Sequence, residues 1–446
     1  MTAAQIRDIL VKLGQQQLLA GIEHLLPTQM QAFLSQLEKY EQDLSLKQKN
    51  LLLGHSKPEL SDAVPFTGYE RSGNETDRKI GESLLREGKV GCLILAGGQG
   101  TRLGFEGPKG SVPVSPIKGK SLFQILCERA RAASQWAERR LPLCIMTSPL
   151  NHAQTLAFFQ AHDHFGLESA QIAFFEQGML PFIDDRGRWL LEEPGKVAEG
   201  PDGNGHALRL FFESGLWHQW KSQGVEYLNI IVVDNALADP FDPELIGFIH
   251  RTKVDVCLKA VERHSAEEKM GVIAKKSGML KLIEYTELPP DPFRFTLSNT
   301  GLFCISMKCI HHLYEDLKIE MPLHLARKPA TVLLGTAKGH FQEKAYVWKC
   351  ERFLFDIFDH IRKSAVLVYP REKIYAPLKN ATGDKSVETV RQALYSHYRD
   401  IYQAVTGLFP SVNEFELDPV YYFPSEELRQ ALAQRPLRPH EYIAVS

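Results

Sequence analysis

Between residues 90 and 233 short, continuously apolar runs alternate with amphipathic stretches. Val90 to Ala96, Leu143 to Thr147, Ile172 to Glu176 and Leu228 to Val233 read as strands, the first of them buried on both faces. Between them, Ser121 to about Ala137, Asn151 to Phe165 and His206 to Ser214 read as helices, the first opened by a Ser121/Gln124 pair that resembles a capping box. This alternation predicts βαβ units, hence a largely parallel sheet with helices on both faces. Ligands of such sheets sit beyond the carboxyl ends of the strands, so chemistry is expected at the strand-to-loop junctions.

On either side of this core the pattern changes. From Ala3 to about Leu53 it is helical, with Ile6, Ile9, Leu10 and Leu13 on one face, Met30, Phe33, Leu34 and Leu37 on another, and Pro27 between. Pro58, Pro65 and Gly68 mark a connection over Ser56 to Gly73, and Glu75 to Glu87 predicts a helix leading into the first strand. Downstream, Asp255 to Val261, Val272 to Lys275 and Leu280 to Tyr285 predict short strands, and Ser298-Asn299-Thr300-Gly301 leads into the apolar run LFCIS. Glu351 to Lys363 predicts an apolar-rich helix, Val366 to Tyr369 a strand and Val387 to Thr406 a helix. The expected division is a helical N-terminal lobe over residues 1–60, a catalytic domain over 61–365 and a small C-terminal domain over 366–446.

Charge and cysteine content narrow the function classes. With 52 basic and 54 acidic residues in 446 there is no general attraction to polyanions, which argues against nucleic acid as a partner. No apolar run approaches the ~20 residues of a membrane span, and the N-terminus lacks a signal-peptide core, so a cytoplasmic protein without a membrane partner is expected. The seven cysteines are scattered without a CxxC pair and read as small core residues. His311 and His312 are adjacent and diverge on any regular element, which argues against a metal site there.

The candidate chemistry begins where the first strand stops. Leu93 to Gly110, LILAGGQGTRLGFEGPKG, sets Gly97, Gly98, Gly100 and Gly104 beside the cations Arg102 and Lys109. Glycines let a backbone take φ > 0 and bring its N–H groups close to an anion. A dinucleotide fingerprint fails because the sixth position counted from Gly98 is Leu103, and a Walker A loop fails because Val114 occupies the place of its first glycine. Other junctions add Gln177-Gly178, Pro201-Asp202-Gly203-Asn204-Gly205 and Asp234-Asn235, the last ending the apolar run NIIVV. A carboxylate at the end of a buried strand is costly unless paired or bound to a cation. Asp234 is therefore the candidate to hold Mg²⁺ against phosphate oxygens, against the plainer reading of an ordinary strand-end aspartate.

GGxGTRLGxxxPKG directly after a strand resembles the signature of sugar-1-phosphate nucleotidyltransferases. With FFEQGMLP, EGPDGNG, VVDN, IEY, SNTG, FLFDIF and APLKNA following in order, the chain from about Lys89 to Ala381 resembles the eukaryotic-type UDP-N-acetylhexosamine pyrophosphorylases of the UDP-sugar pyrophosphorylase family. The resemblance implies an α/β fold: a Rossmann-like nucleotidyltransferase sheet, mixed but mostly parallel, with a helical N-terminal lobe and a small C-terminal domain. It implies that Leu95, Ala96, Gly97 and Gly98 hold the nucleotide with Lys109 on its phosphates, and that Gln177 and Gly203 contact uracil. Asn204, Glu284, Tyr285 and Asn299 would face the sugar, Asp234 would sit near Mg²⁺ and the phosphates, Lys349 near the UTP phosphates and Lys379 on the sugar phosphate. The family's Asn-Ala-Gly-Asn is Asn299-Thr300-Gly301-Leu302 here, and the segment after Lys379 is shorter than in eukaryotic members.

The activity so implied is transfer of a uridylyl group from UTP to a sugar 1-phosphate, most simply N-acetylglucosamine 1-phosphate, by a monomer or weak homo-oligomer. The phosphate oxygen attacks the α-phosphorus in line, so positioning and charge neutralisation carry the rate, and Arg102, Lys109 and Lys349 are the candidate catalytic cations. Two other readings stay open: the same chemistry on glucose 1-phosphate, and a UDP-sugar sensor that has kept the fold without the chemistry.

Overall fold

The apolar run Val90–Leu95 (β1) is buried along its whole length and lies inside a mixed sheet. In the computed structural model, which describes residues 2–54, 60, 62–265, 267–288, 294–336 and 339–445, the other principal strands are Leu143–Thr147 (β2), Ile172–Glu176 (β3), Tyr227–Val232 (β4), Val256–Glu262 (β5), Leu297–Ser306 (β6) and Ser364–Tyr369 (β7). Their order is β7-β5-β6-β4-β1-β2-β3. β4, β1, β2 and β3 run parallel, with Val232 beside Leu95, Leu95 beside Met146 and Thr147 beside Glu176. β5 and β7 are also parallel, and β6 is antiparallel to both β4 and β5. The fold is thus α/β with a mixed, mostly parallel sheet. Strands covered on both faces have no polar side to show, which is why β1 and β2 read as unbroken apolar runs.

The helix Leu122–Ala137 opens as expected, Ser121 accepting from the Gln124 N–H at 3.1 Å. The reciprocal half of a capping box, Gln124 Oε1 accepting from Ser121 N–H, is missing among the described residues, and the Gln124 Nε2 donates to Glu128. The helix after β2 is shorter than its pattern suggested, His152–Ala161, and a 3-10 turn with φ of +51° and +56° at His164 and Phe165 breaks it off. Leu354–His360 is a 3-10 segment rather than an α-helix. A long antiparallel hairpin, His324–Thr336 with Gly339–Glu351, was not foreseen.

Two compact units make up the chain, and neither follows the expected boundaries. One comprises Met1–Glu59, Gln177–His206 and Glu320–Leu354; the other comprises Leu60–Glu176, Ala207–Ile319 and Phe355–Ser446. The N-terminal helices are not a self-sufficient lobe, since Ile6, Leu10, Phe33 and Leu34 share a core with Trp189, Leu191 and Cys350 from the later segments. Residues beyond 366 are not a separate domain either. Leu394, Tyr398, Phe415 and Leu417 belong to the same core as β1 and β2. Of the expected connection over Ser56 to Gly73, residues 56–59 and 61 lie outside the described residues. All seven cysteines are buried and unpaired. Among the described residues no helix is long and apolar enough to cross a membrane.

Candidate active site

In the larger unit the glycine loop leaves β1 at the level where β4 ends. Ala96 N–H donates to Met146 O at 2.8 Å and Val233 N–H to Leu95 O at 3.1 Å, which lines up the carboxyl ends of β1, β2 and β4. The loop closes on itself through Gly100 N–H to Gly107 O at 2.9 Å and Lys109 N–H to Gly98 O at 3.1 Å. Of Gly97, Gly98, Gly100 and Gly104, only Gly104 takes a positive φ, +68°, so the left-handed backbone expected for the group is confined to one position. At Gly98 the internal structure does not require glycine at all: a Cβ there would meet nothing within 4 Å. Leu95 and Ala96 are buried and can offer a ligand little beyond their main chain. Arg102 is exposed in the turn Thr101–Leu103, with no ion-pair partner among the described residues.

Lys109 turns back toward β4. Its Nζ lies 3.1 Å from Asp234 Oδ2, and Lys379 Nζ reaches the same oxygen at 2.7 Å. Burial by itself would raise the Asp234 pKa, but the ammonium groups of Lys379 and Lys109 outweigh it and hold the carboxyl down at about 2. Asp234 Oδ1 is buried and accepts no hydrogen bond among the described residues. Two cations on one anion leave the cluster net positive, a setting for phosphate. Lys379 reaches it because its segment is laced to the end of β4: Leu378 N–H donates to Asp234 O at 2.8 Å, and Asn235 pairs with Pro377 in an isolated bridge.

Asn299, Glu284 and Tyr285 come together through sheet register. Val272 pairs with Ile283 on one side and Ser298 on the other, so Glu284 and Asn299 flank Gly271: Asn299 N–H donates to Gly271 O at 2.9 Å, and a Cβ on Gly271 would stand 3.4 Å from the Glu284 carboxylate. Tyr285 is 43% exposed. Asn299 Oδ1 accepts from Gly301 N–H at 2.8 Å, which leaves its Nδ2 to donate outward. Leu302 pairs with Lys259 and Asn299 with Ala260, so a bulge separates them and they face opposite sides of the sheet. Gly301, at φ +75°, is the residue that permits the bulge.

In the smaller unit Gln177, Gly203, Asn204 and Lys349 form the second group. Asp202 N–H donates to Gly178 O at 3.0 Å, which sets the QG and PDGNG segments side by side. Gly203 has φ +87°, and a Cβ there would stand 2.3 Å from Arg352 O, so no other residue fits without displacing the main chain. Arg352 clamps the loop from both sides, its N–H donating to Asp202 O at 2.6 Å and its O accepting from Gly205 N–H at 2.9 Å. Asn204 Oδ1 accepts from Leu354 N–H at 3.0 Å, which frees its Nδ2. Lys349 Nζ lies 2.8 Å from Glu351. His206 is paired with Asp202 at 3.3 Å. The clamp Arg352 carried no signal that singled it out in the sequence, since it acts on a loop distant along the chain.

Residues 30–420 match the family model described as UTP–glucose-1-phosphate uridylyltransferase. The chain belongs to that family. It is 32% identical over 413 residues, 85% of this chain and 86% of the relative, to the UDP-N-acetylglucosamine pyrophosphorylase of Saccharomyces cerevisiae. It is 35% identical over 342 residues to UDP-N-acetylglucosamine diphosphorylase 2 of Arabidopsis thaliana, a match that takes in 71% of this chain and 66% of that protein's length. Among solved structures, the uridine diphosphate N-acetylglucosamine pyrophosphorylase of Trypanosoma brucei superposes with a TM-score of 0.83 at 25% identity, over 100% of this chain and 98% of that one. For a member of this family, the net-positive cluster of Lys109, Lys379 and Asp234 beside a glycine loop is suited to binding phosphate and to compensating charge that moves between phosphate groups.

Proposed function

We propose that this chain is a uridylyltransferase that makes UDP-N-acetylglucosamine and pyrophosphate from UTP and N-acetylglucosamine 1-phosphate. The observation that carries the reading is the convergence of Lys109 and Lys379 on Asp234 at the end of β4, in a family member whose relatives bear that name. In this reading the main chain of Leu95 to Gly98 takes the nucleotide. Gly98 supports it, because its missing side chain serves no internal contact yet would let a phosphate or base press on the backbone. Gln177 and Gly203 read uracil, an amide and a bare main chain being suited to a base edge. Asn204, Asn299, Glu284 and Tyr285 serve the sugar, the two asparagines as Nδ2 donors to hydroxyls or the acetamido oxygen.

The residues also fit Mg²⁺. Magnesium is held by one or two carboxylates and otherwise by substrate phosphates, and Asp234 offers one buried oxygen without a hydrogen bond. When bound, the ion would neutralise phosphate charge and orient the triphosphate. Lys109, Arg102 and Lys349 supply fixed positive charge for the leaving pyrophosphate, and Lys379 holds the attacking phosphate. The test is pyrophosphate release from UTP with N-acetylglucosamine, N-acetylgalactosamine and glucose 1-phosphates in parallel. The first should give the highest kcat/KM. A preference for glucose 1-phosphate would overturn the assigned sugar, release with none of the three would favour the sensor, and undiminished release in excess chelator would remove the metal.

A further inference from the structure

Two buried asparagines stand at the ends of strands that flank this chemistry. Asn151, beyond β2, is 1% exposed, and Asn235, beyond β4, is 0% exposed. Each spends its amide in both directions. Asn151 Oδ1 accepts from Ser148 N–H at 2.9 Å, while its Nδ2 donates to Ala96 O at 3.0 Å and Gly98 O at 3.1 Å. Asn235 Oδ1 accepts from Ala376 N–H at 2.9 Å and Leu237 N–H at 3.2 Å, and its Nδ2 donates to Ile374 O at 2.7 Å.

The consequence for the glycine loop follows from peptide geometry. In a trans peptide the C=O and the next N–H point opposite ways. Drawing the carbonyls of Ala96 and Gly98 inward onto Asn151 therefore turns the N–H groups of Gly97 and Gln99 outward. Neither N–H takes part in the loop's main-chain hydrogen bonds among the described residues. Two outward donors on alternate peptides, 96–97 and 98–99, face the same way and offer N–H groups to an anion. The consequence for Lys379 follows from register. Holding Ile374 O and Ala376 N–H lays residues 374–378 against 234–236, and Lys379 emerges over Asp234.

We propose that Asn151 and Asn235 are positioning residues for different substrates: Asn151 aims the glycine-loop N–H groups at the nucleotide phosphates, and Asn235 places Lys379 for the sugar 1-phosphate. The inference rests on the uridylyltransferase reading and divides its two substrates between two amides. A residue that only stabilised the fold would have no reason to affect one substrate and spare the other.

The experiment measures KM for UTP and for the sugar 1-phosphate, with kcat, in wild type, Asn151→Ala and Asn235→Ala, and thermal melts beside them. Asn151→Ala should raise KM for UTP by roughly tenfold or more and leave the sugar-phosphate KM within about twofold, and Asn235→Ala should do the reverse, as expected for loss of buried hydrogen bonds on one loop. In a Lys379→Ala background, Asn235→Ala should add less than about twofold, because two residues acting through one contact are not additive. Should an alanine variant fail to fold, Asn151→Ser and Asn235→Ser carry the same comparison, since serine cannot span both partners. Both KM values moving together, or neither moving while the melting point falls, would overturn the inference and leave the reaction standing. A wild type that turns over no sugar 1-phosphate would overturn the reading of the reaction, and this inference with it.

Discussion

Lys379 Nζ lies 2.7 Å from Asp234 Oδ2, and the other oxygen of that carboxylate is buried without a hydrogen bond among the described residues. The pair therefore holds a lysine at the strand end while keeping one anionic oxygen in reserve. A phosphate entering beside it can take the lysine from Asp234, because ammonium groups exchange readily between oxygen anions at little cost in geometry.

Lys379→Ala is expected to raise KM for the sugar 1-phosphate by tenfold or more and to change UTP binding by less than about threefold, since a hydrogen bond to a charged group contributes roughly 1.5 to 3 kcal/mol. Steady-state kinetics with each substrate varied in turn, plus a UTP titration, measure this. Equal losses for both substrates would refute the assignment of Lys379 to the sugar phosphate.

Arg102 and Lys109 are expected to act mainly in the transition state, where charge moves toward the leaving pyrophosphate. Removing either should lower kcat by about 10² to 10³, in line with loss of one preorganised donor, and weaken UTP binding far less. The two differ in what the fold already asks of them, since Lys109 is tied to Asp234 and Arg102 is exposed. Lys109→Ala should accordingly cost some stability and Arg102→Ala almost none. A near-normal kcat in both variants would remove the glycine loop from the catalytic centre.

The pH dependence of stability has a defined sign. The Asp234 pKa falls from 3.8 to about 2 on folding, so its stabilisation is fully present above 3.8 and is lost as pH drops toward 2. Asp234→Asn should therefore be less stable than wild type by on the order of 2 kcal/mol at pH 7 and at pH 5, with the gap closing below about pH 4. Urea denaturation at pH 7, 5 and 3 reads the difference. A gap that persists unchanged at pH 3 would mean that the carboxylate does not carry the stabilisation.

These tests concern residues of unequal visibility in the sequence. The glycine loop, Asp234 and the parallel strands were legible because their signals are local: an apolar run, a cluster of glycines, a charge where the run stops. The hairpin His324–Thr336 with Gly339–Glu351 was not, since Pro329 interrupts one strand and the pairing partners supply the order that the sequence does not show. The make-up of the smaller unit was invisible for a related reason. Its core joins Phe33 to Trp189 and Cys350, residues separated along the chain by most of the other unit. Arg352 is the plainest case, because nothing next to it announces that its main chain will clamp Gly203.

That clamp predicts a sharp effect from one methyl group. Gly203→Ala would force a Cβ to within 2.3 Å of Arg352 O at φ +87°, so the loop must move. If Gly203 reads uracil, the displacement should weaken UTP by at least tenfold, with a destabilisation of roughly 1 to 2 kcal/mol from the left-handed backbone. Calorimetric titration with UTP and with CTP checks it, because a lost uracil contact should shrink the preference between the two. An unchanged UTP affinity would show that this loop does not meet the base.

The substitutions that set this chain apart from the family pattern, Thr300 and Leu302, lead to the final prediction, which concerns the sugar. Leu302 is 4% exposed and belongs to the apolar core, on the opposite side of the sheet from Asn299. Thr300 is equally buried, and its hydroxyl donates to Lys259 O at 2.5 Å and accepts from Leu302 N–H at 3.3 Å. Its polar group is thus committed to the bulge and has no free donor for a ligand. Thr300→Ala should lower stability by about 1 kcal/mol, the usual contribution of one such hydrogen bond, and leave the ratio of kcat/KM for N-acetylglucosamine 1-phosphate over glucose 1-phosphate within about twofold. Asn299→Ala should change that ratio, because the Nδ2 group it removes is free to donate outward. Both ratios come from the same parallel turnover measurement. A shift of more than about fivefold in Thr300→Ala would place the hydroxyl in contact with the sugar and reverse the argument from the bulge.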